Sequence, residues 1–498
     1  MMRTLTHRYA WLWLACGGMA ALADVLFYGH PWGVNVAIFG AILVIAVVLR
    51  SPGLWRSWMG RSWILLAGMA LAALVEEPSP LAVIMAIVTV GTLVLAAQNN
   101  LGDRVSRWAW QWMHLLITLF LRLLLDNALI ARWVQRHPRA GRQLMKVATA
   151  LAWWFFPVAG GVVFIALFAF ANPVIGRWVR IGFDDVLTLF DWLPLYLQPG
   201  RVALWASVAL GAYGVLRYRR MRVRRRETVP PVITAMPLVT WWNGQGMIIR
   251  CLLVFNAVFA VQSFLDVIYL YGGAALPEGM TYAHYAHRGA YPLMLTAVLA
   301  GVFVLAAFRQ GGAAERSPWA RRLVYLWILQ NLFLLASTIW RIWLYVDVYS
   351  LSRWRVAAMT WVLLVGLGFC WIIGKIVWRR DNTWLWRMNG LTLYAVLLAC
   401  AFINFDGLIA DFNVRHCREV TGEGVSIDLD YLHELGPEAL PALAWLRDQP
   451  KTDRISIDRT AGELRVELQH AVSDWRGWTY RRWREAPGEM RTTFLTFR

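Results

Sequence analysis

The stretch LVYLWILQNLFLLASTIWRIWLY, residues 323–345, decides the fold. It is almost wholly apolar, yet it places Asn331, Thr338, Arg341 and Tyr345 on one face at helical spacing. A helix crossing ~30 Å of hydrocarbon needs roughly 20 such residues. An arginine within it costs at least ~2.5 kcal/mol at mid-bilayer unless it is paired or wet. This run therefore predicts a membrane span with a polar group that needs a partner.

Similar runs cover 9–28, 32–49, 79–97, 147–171, 201–216, 247–271, 289–308, 355–378 and 387–409. The run 62–75 is short, and to cross it must thin the bilayer or use Trp63 and Glu76 as edge anchors. Counting it, the fold class is an all-α integral membrane helix bundle with about 11 transmembrane helices and a small C-terminal extramembrane domain. The expected divisions are 1–146 (four spans), 147–410 (seven spans) and 411–498 (the extramembrane domain).

Composition agrees. The 498 residues are 59% hydrophobic and only 16% charged, against about 25% charged in soluble domains. The 31 tryptophans suit membrane–water interfaces, where an indole is half wet. The formal net charge is +19, but the arginines sit in short loops between apolar runs, which argues against nucleic acid as a partner. The cysteines form no C-x-x-C pair, and Cys417 alone lies outside an apolar run, so no disulfide framework is expected in the exposed domain.

Basic residues concentrate in cytoplasmic loops. With the N-terminus inside, the inner segments hold 27 of them and the outer loops six. The alternation holds loop by loop and fails without 62–75. The expected location is a bacterial cytoplasmic (inner) membrane, with the N-terminus cytoplasmic and the C-terminus periplasmic or extracellular. A second reading of the first run, with Ala21-Leu22-Ala23 as a cleavage site, is a secretory signal. The run continues through Phe27, which favours an uncleaved helix.

Polar stripes at 111–126 and 184–198 predict helices in the headgroup plane. The run RYRRMRVRRR supplies Arg217, Arg219, Arg220, Arg222, Arg224, Arg225 and Arg226, with anionic inner-leaflet lipid as the expected partner. In the tail, the alternating stretch Ile455 to Val466 suggests a hairpin. The sequence WRGWTYRRWRE suits the outer membrane surface, and an envelope protein is the partner expected for 411–498.

Phosphate loops, nucleophile elbows, zinc helices and Cys-rich zinc spacings are missing from the sequence. Catalytic residues are not assignable, and no cofactor or metal is expected. His284 and His287 have i, i+3 spacing but no defined third ligand. The ionisable groups inside the spans are the better lead. Asn256, Ser263 and Asp266 share a face of 247–271, with Gln262 one turn before Asp266. Asp266 and Arg341 fall at similar depth, so an ion pair between them is geometrically allowed. Asp24, His287, Arg288, Tyr345, Asn404 and Asp406 gather near the same level. Two readings stand: a ring of anchors reaching water by snorkelling, or a polar pocket open to the outer face.

Several stretches carry a resemblance. ANPV at 171–174, LPEGMTYAHYAHRG at 276–289, RIWLYVDVYSLSRWR at 341–355, NFDGLIADFNV at 404–414 and DLDYLHELGPEALPAL at 428–443 resemble bacterial membrane proteins classed as domain of unknown function 4173, with its relative 4153. The resemblance covers roughly 147–498 and implies a polytopic envelope protein without an assigned activity. Asp266, His287, Arg288, Arg341, Tyr345, Arg353, Asn404, Asp406 and Asn413 match its pattern. Ser350 and Ser352 depart from it, a Gly and a Thr being usual there, which puts the turn after 349 in question.

Three function classes fit. In the first, the pocket around Asp266 and Arg341 serves a transporter or small-molecule binding protein. In the second, an envelope sensor or assembly scaffold works through 411–498. In the third, a membrane enzyme uses Asp406 or His287 as base on lipid-linked substrates.

Overall fold

The computed structural model describes residues 2–97, 108, 110–116, 198–217, 245–271, 299–301, 303 and 317–485. Among the described residues the regular elements are helices, with no strand. The early ones are α1 (Met2–Phe27), α2 (Val34–Arg50), α3 (Trp58–Glu76), α4 (Pro80–Ala97) and α5 (Pro199–Arg217). The later membrane-length ones are α6 (Gln245–Asp266), α7 (Pro318–Tyr349), α8 (Arg353–Val377) and α9 (Asn382–Phe402). Among the described residues six helices, α3, α4 and α6 to α9, are long and apolar enough to cross a membrane. α1 and α2 contribute shorter apolar helical stretches. The runs 147–171 and 184–197 lie outside the described residues, as do most of 289–308, most of 111–126 and Arg219 to Arg226.

One expectation is corrected at once. The run 62–75 sits in a helix of 19 residues, about 28 Å at 1.5 Å per residue. Trp58 to Arg61 and Glu76 extend it, so the bilayer need not thin.

The chain divides into two compact units. In the first, α1 and α5 pack antiparallel. Asp24, late in α1, takes the guanidinium of Arg201, early in α5. The Tyr28 hydroxyl donates to Gln198 at 2.5 Å, and Cys16 and Met19 meet Ala212 and Tyr213 further along. Asn35 fixes the turn into α2, donating to the Leu26 carbonyl at 2.7 Å and accepting from Gly33 N at 2.8 Å.

The second unit holds α6 to α9. Asn256 of α6 donates to the Leu323 carbonyl of α7, Gln330 donates back to the Asn256 carbonyl, and Asp266 meets Arg341. The numbers rise together, so α6 and α7 run parallel. Phe303, from the interval between α6 and α7, packs edge-on to Phe255 and Trp327. α7 to α9 then alternate through tight turns at Ser350–Ser352 and Trp378–Asp381.

The polarity of α6 is inverted relative to a helix in water. Val261 and Phe264 are 61% and 63% exposed, whereas Asp266 is 0% exposed. Exposed apolar surface on this scale fits hydrocarbon as solvent. The molecule is a membrane protein.

The last expected span, 387–409, is broken. α9 stops at Phe402, Ile403 turns extended, and α10 (Phe405–Arg415) begins after it. The Asn404 carboxamide caps α10 by accepting from Gly407 N at 2.9 Å. A Cβ on Gly407 would come within 2.6 Å of that carboxamide, so this cap needs a glycine there. After α10 come α11 (Leu429–Leu435), α12 (Leu440–Arg447), α13 (Arg454–Val472) and α14 (Tyr480–Glu485). They close over Ile409, Leu432, Leu443, Leu446 and Leu464.

The hairpin expected at Ile455 to Val466 is a helix instead, α13. Ile457, Ala461, Leu464, Leu468 and Val472 make its buried face, a 3.6-residue period that outranks the local alternation. Asp453 starts it, accepting from Ile455 N and Ser456 N. Ser456, whose hydroxyl donates to the same carboxylate, holds Asp453 below the usual carboxylate range. The cap is therefore at full strength above the range of a free carboxylate and is lost as pH falls through the lowered value. Asp453→Asn should remove this acid dependence, as read by hydrogen exchange at the first turn of α13.

The tail WRGWTYRRWRE is tied to the chain just past Leu74 and Val75. Arg481 is buried beside Glu76 at 3.5 Å. Arg482 reaches Glu77 at 2.9 Å, and the Thr479 hydroxyl donates to Glu77 at 2.7 Å. These contacts set α14 against the end of α3. Cys417 is buried in the same helical cluster, and burial with Glu419 beside it pushes its thiol up. Cys417 should stay unmodified by N-ethylmaleimide in the native protein and react on unfolding, as mass spectrometry would show.

Candidate functional site

The site grows from two facing stripes. On α6, Leu252, Asn256 and Asp266 are buried. On α7, Trp327, Asn331, Thr338 and Arg341 are buried. Each stripe follows the i, i+3, i+4 spacing that puts residues on one helical face. Two hydrophobic helices thus meet across a seam with polar side chains at intervals of about two turns.

Where α6 ends, Arg341 donates to Asp266 Oδ1, with the side chains 2% and 0% exposed. Gln262 Nε2 donates to the same oxygen at 2.9 Å. Asp266 Oδ2 has no hydrogen-bond partner among the described residues. Immediately after Asp266 the helix widens into a π-helical turn, Val267–Tyr271. Such turns are rare and frequent at functional sites. It brings the Tyr271 hydroxyl to Ser337 Oγ at 3.3 Å.

Below the pair the seam is rich in acceptors. Asn256 turns its amide nitrogen to the Leu252 and Leu323 carbonyls, and Asn331 turns its own to the Trp327 carbonyl. Both oxygens then face away from those bonds. Asn256 Oδ1, Gln330 Oε1, Asn331 Oδ1 and Ser263 Oγ are buried without a partner among the described residues. Thr338 is satisfied within its own helix by the Leu334 carbonyl at 2.8 Å.

A second constellation lies where α7 turns into α8. Asn413 of α10 clamps Leu351 twice, accepting its N–H at 2.7 Å and donating to its carbonyl at 2.9 Å. Arg353 donates to Asp406 at 2.6 Å and to the Glu434 carbonyl at 3.1 Å. Its backbone N–H donates to the Tyr431 hydroxyl at 3.0 Å. The Arg355 guanidinium sits 4.6 Å over the Tyr345 ring.

The sequence candidates therefore separate into two groups. Asp266 and Arg341 are together in the seam. Asp406, Asn404 and Tyr345 belong to the clasp after α7, with Asp406 on Arg353 and Asn404 as a helix cap. Asp24 is paired with Arg201, in the first unit. His284, His287 and Arg288 lie outside the described residues, and so does the lipid-contact run apart from the backbone of Arg217. Gln330, Ser337 and Tyr271 were not singled out by sequence. Gln330 and Ser337 stand seven apart, each beside a polar position already on the stripe, and that spacing was the available signal. No group of three or more metal-ligating side chains occurs among the described residues.

Fold and site together define a helical membrane protein with an ion pair sealed in its interior. The sequence profile described as Domain of unknown function (DUF4153) matches residues 63–446, and the chain belongs to that family. The relative is thus the family shown, and 4173 is not; the match takes in part of 1–146, where no motif was placed, and stops before the final helices. Neither a curated protein nor a solved structure matches the chain.

Proposed function

We propose that this protein is a transporter or small-molecule binding protein of a bacterial inner membrane, working through the Asp266–Arg341 seam. The observation that carries the reading is the fully buried pair. Two charges withdrawn from water inside apolar helices are costly to keep, and intramembrane ionisable groups of this kind mark ligand and ion pathways. The π-helical turn beside Asp266 and the row of acceptor oxygens support it. With the N-terminus inside, the pair lies toward the outer end of both helices. The directions of the helices fit that topology. In the second unit α3, α7 and α9 all end against the α10–α14 helices, and α6 runs parallel to α7; in an eleven-span alternation these are the third, seventh, ninth and eleventh spans.

The test compares uptake of labelled metabolite mixtures by cells making the wild-type protein, Asp266→Asn or Arg341→Gln at matched membrane levels. Loss of at least one uptake activity in both variants is expected. Unchanged profiles in both would remove this reading.

A second reading has its own support. The clasp ties the α7–α8 turn to two helices outside the long apolar ones, α10 and α11, as an envelope sensor or assembly scaffold would need. Deleting 411–498 should then abolish the phenotype while pocket variants leave it intact.

A further inference from the structure

We propose that the cluster where α14 meets the end of α3 binds a phosphate group on Arg481. Its residues lie away from the Asp266–Arg341 pair, so this site and the transport reading stand or fall separately.

Arg481 is a buried guanidinium with one edge of its fork unanswered. Its side chain is 6% exposed, and its Nε and Nη2 are buried without a hydrogen-bond partner among the described residues. Those two nitrogens share one edge of the planar group, where parallel N–H bonds receive two oxygens of a single oxyanion. Leaving such donors buried and unmatched is costly, more so on a charged group. Glu76 Oε1 stands 3.5 Å from Nε, beyond the roughly 2.7–3.2 Å of an N–H···O bond. The same oxygen faces Arg484 Nη2 at 3.9 Å, so Glu76 is drawn two ways and does not cap the edge of Arg481.

The neighbouring arginine shows the contrast. Arg482 donates to the Gly477 carbonyl at 2.8 Å and to Glu77 Oε1 at 2.9 Å. The Thr479 hydroxyl holds the other oxygen of Glu77, which takes that carboxylate out of reach of Arg481.

The place selects the ligand. α3 is an apolar helix of membrane length that ends at Glu76, and residues just past such an end lie in the headgroup layer. Trp475 and Tyr480, 39% and 43% exposed in the same segment, are the amphipathic side chains that favour this layer. Phosphate is the oxyanion that layer holds in quantity. It reaches Arg481 as a phospholipid headgroup or as a free phosphate from the adjoining water, and either offers the two oxygens that the edge needs.

The test uses the full chain in a sugar-headed detergent, stripped of copurified lipid and kept in phosphate-free buffer. The probes are dihexanoylphosphatidylglycerol, its phosphate-free counterpart dihexanoylglycerol, and inorganic phosphate against chloride at equal ionic strength. A saturable rise of a few degrees in the thermal midpoint is expected with a phosphate-bearing probe and none with dihexanoylglycerol. A rise with the lipid alone assigns the headgroup as the source, and a rise with inorganic phosphate assigns the free ion. Arg481→Lys keeps the charge and loses the paired edge, so it should bind the effective probe about tenfold more weakly. Should Arg481→Lys fail to fold, hydrogen exchange of the wild type decides, with protection of 475–485 by the effective probe expected. The proposal is overturned by no rise with either phosphate probe, or by an equal rise with dihexanoylglycerol. Full affinity kept in Arg481→Lys, or no protection over 475–485, overturns it as well.

Discussion

Asp266→Asn should destabilise the bundle by about 3–5 kcal/mol, and Arg341→Gln by less. Removing one member of a buried pair normally exposes the cost of the other. Here the two losses are unequal. Arg341→Gln leaves a carboxyl group that becomes neutral by binding a proton, after which Gln262 and the new glutamine still offer hydrogen bonds. Asp266→Asn leaves a guanidinium with no neutral form and only 2% exposed. The double replacement, Asp266→Asn with Arg341→Gln, removes both charges and should cost less than the two single losses together, a coupling of 0.5–3 kcal/mol being typical of touching residues, roughly. Unfolding of the four proteins in mixed micelles measures all three differences. Additive losses would show that the two residues are held by other contacts. A greater loss for Arg341→Gln would show that the carboxylate keeps its charge by another route.

Much of this was legible before any coordinates. The polar face of 323–345 announced a partner, and depth counted along two apolar runs put Asp266 level with Arg341. Helical period and membrane thickness are strict rules, so they carry across the chain. Three features escaped for physical reasons. The break at Ile403 and Asn404 was hidden because hydropathy does not distinguish a helix from two helices joined by a cap; Gly407 beneath Asn404 was the discriminating detail. α13 was misread because an alternation over a few residues is also contained in a longer 3.6-residue pattern. The separation of Asp406 from Asp266 was unreadable, since depth in the membrane gives no information about position within its plane. Arg353, 49% exposed and bonded to Asp406, shows that matching depth alone does not make a pocket.

The turn after Tyr349 carries the other large effect. Ser350 has φ 65° and ψ 174°, a region open to glycine and costing other residues roughly 1–3 kcal/mol. The turn therefore has a glycine geometry with a serine in it. The strain persists because its neighbours hold it: Asn413 satisfies both backbone groups of Leu351, and Arg355 donates to the Tyr349 carbonyl at 2.7 Å. Ser350→Gly should therefore stabilise the protein by about 1 kcal/mol, the relief of strain being partly offset by glycine's greater freedom when unfolded. Asn413→Ala should act in the opposite direction and more strongly, by about 2–4 kcal/mol, because it strands an N–H and a carbonyl that are part-buried. With both replacements the turn can relax, so Ser350→Gly should recover some of the Asn413→Ala loss. Thermal unfolding of the two single variants and their combination tests this. A destabilising Ser350→Gly would show that the serine makes a contact worth more than the strain, and an Asn413→Ala without effect would show that water replaces the clamp.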